Sequence, residues 1–175
     1  MTRQEQAEWI ARWAPAAQAA NKKWGVPTPV TLAQAIIESS DDKGHWGFSG
    51  CALKAKNYFG LKVDHDGEAY VEFPTKEFDR KDGHPYLESG AKFRSFADPA
   101  ESFDAHAELI ATARRYRPAM AAAHDPVAFA AQLQVCGYST NPKYAKDLTW
   151  LIQHFNLTQY DTLPPDPVAE KEQAV

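Results

Sequence analysis

The sequence has no long hydrophobic run, little cysteine and no excess of positive charge. None of its stretches approaches the roughly 20 apolar residues of a membrane-spanning helix, and its polar N-terminus lacks the apolar centre of a secretory signal. The formal net charge of −4 gives no general attraction to nucleic acid or to an anionic membrane. We therefore expect neither partner, and a cytoplasmic chain until it is released or exported by another route.

Cysteine is limited to Cys51 and Cys136, whose spacing matches no metal-binding motif. His45 could act as a ligand or a base, but the other histidines stand far apart without metal-type spacing. The sequence therefore predicts no metal and no cofactor. Buried free thiols are the default for the two cysteines, and a single disulfide between them stays open.

Length and composition indicate one globular domain. The chain has 175 residues, of which 44% are hydrophobic and 24% charged, and it shows no internal repeat. We predict a single monomeric domain over residues 1–160. Residues 161–175 contain three prolines and few apolar anchors, which predicts a disordered tail or a linker.

Helical periodicity dominates both ends of the chain. Residues 2–23 predict an amphipathic helix with an aromatic stripe, and Gly25 is its stop signal. Further along, Asp98-Pro99, Asp125-Pro126 and Asn141-Pro142 each place a capping side chain before a proline. Each of these pairs predicts the start of a helix.

Between the helices the hydrophobic pattern changes to a period close to two. Residues 69–78 follow the turn dipeptide Asp66-Gly67 and are rich in residues that favour strands. A second turn dipeptide, Asp82-Gly83, precedes a further predicted strand at residues 91–96. These features predict a small antiparallel sheet of two or three strands inserted between helices.

Glu38 is the single carboxylate of an otherwise apolar helix. We predict this helix over residues 29–40, with Thr28 as its cap, and Thr31, Gln34 and Glu38 share one of its faces. The helix dipole is negative at this end, and both the dipole and apolar neighbours raise the pKa of a carboxyl group. A raised pKa suits a general acid near neutral pH, whereas the simpler alternative is a solvated glutamate at a frayed helix end.

An acid at the end of a buried helix and further acids in a β region together predict a cleft between a helical lobe and a β lobe. Such a cleft suits hydrolysis of a glycosidic bond. This chemistry needs one protonated carboxyl group for the leaving oxygen, and a negative or basic group on the other face of the sugar.

Five segments of the chain carry a resemblance to a known family. They are Leu32–Ser39, Asn57–Lys62, Thr75–Glu77, Phe93–Phe96 and Gly137–Ala145. Taken in this order, they resemble bacterial and phage peptidoglycan N-acetylglucosaminidases of glycoside hydrolase family 73. The resemblance covers roughly residues 25–157. It implies a lysozyme-like α+β fold, with a mainly helical lobe, a small antiparallel β-hairpin lobe and a cleft between them.

The same resemblance implies roles for individual acids and tyrosines. Glu38 corresponds to the catalytic acid, Glu77 to the second acidic residue in the β lobe, and Tyr138 to a tyrosine beside the catalytic glutamate. Tyr144 is a second candidate for the cleft. Each has a structural alternative, since Glu77 could pair with a neighbouring cation on the strand surface and the tyrosines could be half-buried core residues.

Three further residues are candidates for substrate binding. Asn57 and Phe59 resemble an Asn-x-Phe-Gly element that lines the substrate groove in the family. Trp46 lies in the polar loop after Glu38, where its ring could stack on a sugar face. The alternative for the aromatic residues is simple packing in the core.

The predicted activity is that of an endo-β-N-acetylglucosaminidase, which cleaves the β-1,4 bond between N-acetylglucosamine and N-acetylmuramic acid. Its partners would be peptidoglycan glycan strands, in the cell wall or periplasm. A muramidase or lytic transglycosylase on the same scaffold, and a non-catalytic cell-wall binding module, are the alternatives. An inverting, a retaining and a substrate-assisted mechanism all stay open, as does the origin as phage lysin, secreted effector or housekeeping hydrolase.

Overall fold

The computed structural model describes residues 1–78 and 84–161, with the backbone alone for residues 75–78 and 85–88. Seven α-helices, two 3₁₀ helices and a two-stranded antiparallel sheet make up this described part. The α-helices are α1 (Arg3–Trp24), α2 (Thr28–Ser39), α3 (Gly50–Ala55), α4 (Pro99–Thr112), α5 (Arg117–Ala121), α6 (Pro126–Val135) and α7 (Tyr144–His154). The 3₁₀ helices are Arg114–Tyr116 and Leu157–Tyr160, and the strands are β1 (Tyr70–Phe78) and β2 (Pro85–Arg94). This content confirms the predicted α+β class.

Helix α2 is the centre of the helical lobe. Every residue from Thr28 to Ile36 is buried, because the helix packs against α1, α6, α7 and the 3₁₀ helix that follows α7. A helix covered on all sides needs no polar face. The face with Thr31 and Gln34 is therefore as deeply buried as the apolar face.

The predicted cap of α2 is wrong, because the helix already begins at Thr28 and Pro27 occupies the capping position. Instead, the Asp161 carboxylate accepts from the backbone N–H of Thr28 at 3.3 Å. An acid from the far end of the described chain thus meets a free N–H at the positive end of the helix dipole.

The other helix boundaries follow local signals with one exception. Helix α1 ends as predicted at Gly25, whose φ of 76° is a left-handed conformation that favours glycine. Asp98 and Asp125 cap α4 and α6 as predicted. The third start is wrong, because α7 begins at Tyr144, and Asn141 Oδ1 accepts from the N–H of Lys143 in a turn before the helix. The short helices α3 and α5 were not predicted.

The β lobe is a hairpin in which β1 and β2 pair antiparallel. Strand β2 begins at Pro85, earlier than the predicted residue 91, and the register shifts between Phe73 and Thr75, around a proline that cannot donate to the sheet. Asp66-Gly67 forms a turn before β1, as predicted, but the segment before this turn bridges to β2 at Phe93, so the turn does not join two strands that pair with each other. Asp82-Gly83 lies outside the described residues, as do residues 162–175 of the predicted tail.

The two cysteines are free thiols, and both are half-buried. The prediction of free thiols is therefore confirmed, although the side chains are less buried than expected, and the alternative disulfide does not form. Burial raises the pKa of the Cys51 thiol to about 11, which disfavours the reactive thiolate. None of the helices in residues 1–78 and 84–161 is long and apolar enough to cross a membrane.

Asn57 joins the segment after α3 to β2. Its buried Nδ2 donates to the carbonyl oxygens of Leu61 at 2.9 Å and Arg94 at 3.0 Å. Its Oδ1 accepts from the backbone N–H groups of Leu61 at 3.0 Å and Phe59 at 3.3 Å. One amide therefore closes a tight loop and attaches this loop to the β lobe.

We expect Asn57→Ala to lower the free energy of unfolding by about 3 kcal/mol, because it leaves buried backbone donors and acceptors without partners. Urea denaturation followed by circular dichroism measures this change. Asn141→Ala, in an exposed turn, is the control and should cost less than about 1 kcal/mol. Equal small losses in the two variants would contradict the assigned role of Asn57.

Candidate active site

The site is built around Glu38, the penultimate residue of α2. Its Oε1 accepts a hydrogen bond of 3.0 Å from Oη of Tyr144, the first residue of α7. Helices α2 and α7 pack against each other, so the acid and the phenol are held by two different elements of the core. The contact joins residues that are 106 positions apart in the sequence.

Burial raises the pKa of the Glu38 carboxyl from 4.5 to about 7, and the hydrogen bond from Tyr144 acts in the opposite direction. The predicted rise in pKa is therefore confirmed, with loss of solvation as its main cause. At neutral pH the protonated and ionised forms are both well populated. A carboxyl group in this state can donate a proton and take it back.

Two stacked tyrosines and their buried partners surround this carboxyl group. The rings of Tyr138 and Tyr144 lie 5.4 Å apart with an interplanar angle of 19°. Gln34 Nε2 donates to Tyr144 Oη at 3.0 Å, and Tyr138 Oη lies 3.1 Å from His106 Nε2. Burial raises the pKa values of both tyrosines well above their usual range, so both stay protonated.

The hydroxyl that bonds the Glu38 carboxylate belongs to Tyr144, the second candidate for the cleft. The Glu38 charge also acts on the Tyr138 hydroxyl, and the place of Tyr138 beside the acid stays a prediction. Tyr138 stacks on the ring of Tyr144 and shares a hydrogen bond with His106. Tyr138 therefore supports the tyrosine that contacts the acid.

His106 and Phe59 form the layer behind Tyr138. Burial lowers the pKa of His106 to about 3, so the imidazole is neutral at any working pH. The ring of Phe59 stacks on this imidazole with centroids 3.9 Å apart. Phe59 is itself buried, so it belongs to the support of the site and does not line an open groove.

Asn57 and Trp46 do not fit the expected contacts with sugar. Asn57 is fully buried, and its amide is used by backbone groups. Trp46 is 6% exposed and packs edge-to-face on Trp9 and Phe155. Because neither side chain is accessible, we correct both to structural residues.

Glu77 lies in β1 opposite Tyr86 in the strand register. The structure describes only the backbone of this residue. The role of Glu77 as second acid therefore stays a prediction.

The loop after α2 is closed by its own side chains. His45 Nδ1 lies 2.8 Å from Asp41 Oδ2, and Asp41 Oδ1 also accepts from the backbone N–H groups of Lys43 and His45. His45 therefore stabilises the conformation of this loop. Across residues 1–78 and 84–161, His, Cys, Asp and Glu side chains form no group of three or more that could hold a metal ion.

Sequence reasoning missed Gln34 and His106 as members of the site. Gln34 carried a usable signal, because it shares a helix face with Glu38 at a spacing of four residues. His106 carried none, because its partner Tyr138 comes from a segment 32 residues away.

An open cavity of about 340 Å³ adjoins the end of α2. It is lined by Ile37, Asp147 and the half-exposed ring of Trp150, among others.

The fold and the desolvated carboxyl group define a lysozyme-like α+β domain, and comparison with known proteins identifies which one. Residues 14–157 match the family described as "Glucosaminidase: Mannosyl-glycoprotein endo-beta-N-acetylglucosaminidase". The chain belongs to this family. The resemblance inferred from the five segments is thereby confirmed.

Two curated relatives and one solved structure support this assignment. The chain is 33% identical over 166 residues to exo-glucosaminidase LytG of Bacillus subtilis, covering 92% of this chain and 55% of that protein. It is 30% identical over 158 residues to peptidoglycan hydrolase FlgJ of Pseudomonas aeruginosa, covering 87% and 37%. The catalytic domain of the autolysin Auto from Listeria monocytogenes superposes with a TM-score of 0.75 at 28% identity, covering 92% and 90%. The chain thus spans about half or less of the two curated relatives.

The raised pKa of Glu38 predicts a pH-dependent stability. The folded protein favours the neutral carboxyl group, so this contribution is fully present below about pH 4.5 and is lost as the pH rises through about 7. Glu38→Gln should therefore be more stable than the wild type at pH 8, by at most about 3 kcal/mol, with little difference at pH 4. Urea denaturation at the two pH values measures this change.

Glu108→Gln removes an exposed carboxylate from α4 and is the matched control. It should show no such gain at pH 8. A stability difference between Glu38→Gln and the wild type that is the same at both pH values would contradict burial of an ionisable carboxyl group at this site.

Proposed function

We propose that the chain is an endo-β-N-acetylglucosaminidase that hydrolyses the β-1,4 bond between N-acetylglucosamine and N-acetylmuramic acid in peptidoglycan. Glu38 is the general acid. The observation that carries this proposal is the carboxyl group at the end of α2, whose burial raises its pKa to about 7 while a tyrosine hydroxyl orients it. Membership of the glucosaminidase family, and relatives named as a glucosaminidase and a peptidoglycan hydrolase, support it.

The geometry suits the proton transfer that glycosidic cleavage requires. Protonated Glu38 gives its proton to the leaving oxygen as the bond to the anomeric carbon breaks. The carboxylate that remains is not isolated, because Tyr144 donates a hydrogen bond to it. Burial thus keeps the acid protonated before the reaction, and Tyr144 stabilises the charge after it.

A purely binding module is the less favourable alternative. Burial of an ionisable carboxyl group costs stability near neutral pH, and a binding groove gains nothing from that cost. We propose peptidoglycan glycan strands as the substrate and the cell wall or periplasm as the site of action, on the strength of the relatives named as a glucosaminidase and a peptidoglycan hydrolase. We further propose that the protein acts there as a monomer, without a nucleic acid or membrane partner.

Digestion of purified peptidoglycan tests this function. We expect muropeptides that end in a reducing N-acetylglucosamine, and Glu38→Gln should lower the rate by about 10² to 10⁴-fold because an amide cannot deliver a proton. Liquid chromatography with mass spectrometry after borohydride reduction identifies the reducing sugar. The Glu108→Gln variant is the control and should digest as the wild type does.

Other products would select another activity. A reducing N-acetylmuramic acid would indicate a muramidase, and an anhydro sugar a lytic transglycosylase. Fragment length separates internal cleavage from release of terminal sugars, a distinction that matters because one relative is named an exo-glucosaminidase. Wild-type turnover in folded Glu38→Gln would overturn the assignment of the acid.

We further propose that Glu77 stabilises charge or activates water and is not a covalent nucleophile. A retaining nucleophile needs the two carboxyl groups about 5 to 5.5 Å apart, and an inverting base needs about 6.5 to 9.5 Å. Glu77 follows the register shift between Phe73 and Thr75, where the strand pairing is interrupted. Such a strand can adjust to a bound glycan. It therefore suits the wider separation of the Glu38 and Glu77 carboxyl groups, that of an inverting base, better than the shorter separation of a retaining nucleophile.

We expect Glu77→Gln to lower activity less than Glu38→Gln does, because water or the 2-acetamido group of the substrate can replace a stabilising charge. Steady-state digestion rates of the two variants measure the difference. NMR of the first product shows whether the anomeric configuration is inverted, which would select the water-activating role. A glycosyl ester trapped on Glu77 and seen by mass spectrometry would refute the proposal.

A further inference from the structure

Gln34 is linked to the acid through a second helix. It lies one turn before Glu38 on α2 and is fully buried. Its Nε2 donates to Tyr144 Oη at 3.0 Å, and Tyr144 Oη donates to Glu38 Oε1 at 3.0 Å. Two residues of one helix are therefore joined by a hydroxyl group that a different helix supplies.

Because a phenol has a single hydroxyl proton, the direction of these two hydrogen bonds is important. A tyrosine hydroxyl can accept hydrogen bonds but can donate only one. When the Gln34 amide donates to the oxygen, the Tyr144 proton stays available for Glu38. An acceptor at position 34 would draw that proton away, and an apolar residue there would leave the hydroxyl free to rotate.

Stability does not explain a glutamine at this position. Gln34 Oε1 is buried and has no hydrogen-bond partner, so one end of the amide is unsatisfied. A buried polar atom without a partner destabilises the folded state. An apolar side chain of similar length would avoid this cost.

We propose that Gln34 is a positioning residue, which directs the hydroxyl proton of Tyr144 onto Glu38 and thereby stabilises the carboxylate left after proton transfer. This inference rests on the proposed role of Glu38 as general acid. It adds a residue that touches neither substrate nor acid. Its effect on catalysis passes entirely through Tyr144.

The sign of the expected effect follows from the hydrogen bond. The bond from Tyr144 favours the ionised form of Glu38, so its loss raises the pKa of the acid and makes the carboxylate a poorer product of proton transfer. In the described part of the chain, the titratable groups that act on Glu38 are Tyr144 of α7 and Tyr138 of the segment before it. Both stay protonated and act as dipoles.

Gln34→Met removes the donor and keeps the length of the side chain. We expect kcat on peptidoglycan to fall about tenfold, with KM unchanged, because the Tyr144 hydroxyl is no longer held in the direction of the Glu38 carboxylate. The decline of kcat/KM at high pH should move to a higher pH than in the wild type. Tyr144→Phe should show the same two changes, and the double variant should be no worse than Tyr144→Phe alone.

Thr31→Val is the matched control. It replaces another fully buried polar side chain on the same face of α2, one turn before Gln34. The Thr31 hydroxyl donates to the carbonyl oxygen of Pro27 at 3.3 Å. It should leave kcat and the pH profile unchanged. If Gln34→Met does not fold, Gln34→Leu provides the same test with a different apolar shape.

The outcomes separate this proposal from the proposed function. A wild-type protein that does not cleave peptidoglycan would refute the function itself. An active wild type with unchanged kcat and pH profile in the Gln34 variants would overturn the positioning role alone. Additive losses in the Gln34 and Tyr144 double variant would also overturn it, because they would show that Gln34 acts by a route other than Tyr144.

Discussion

The candidate site depends on one half-buried carboxyl group near the end of a helix that the core covers from Thr28 to Ile36. Glu38 meets the Tyr144 hydroxyl only because α7 packs along α2. The same packing removes solvent from the carboxyl group and raises its pKa to about 7. Burial and the hydrogen bond act on this pKa in opposite directions, and their balance leaves a carboxyl group that can gain and lose its proton near neutral pH.

Most residues near this acid act by support. The neutral His106 lies between Phe59 and Tyr138, and Tyr138 in turn stacks on Tyr144. Asn57 performs a similar task for the other lobe, since its amide holds the turn that joins α3 to the sheet. Residues that resemble a family's groove can therefore matter to the site without touching the substrate.

Local sequence signals predicted the helix starts correctly where the capping hydrogen bonds are themselves local. Asp98 and Asp125 bond N–H groups within their own helical turn, and both helices begin where these residues predict. The prediction failed at Thr28, where a carboxylate from a distant segment takes the place of a local cap. It failed again at Asn141, which caps a turn instead of α7. In both cases a tertiary contact or an alternative local hydrogen bond competes with the helix signal.

The sequence by itself determined the α+β class, the family, and the position of one acid at the end of an apolar helix, because each follows from the order and spacing of residues along the chain. Only the tertiary structure decided which tyrosine bonds that acid. Tyr138 and Tyr144 are close in sequence, and the choice depends on where α7 begins and how it lies against α2. The tertiary structure also decided that Asn57 and Trp46 are buried, because burial depends on segments from elsewhere in the chain that pack over a residue.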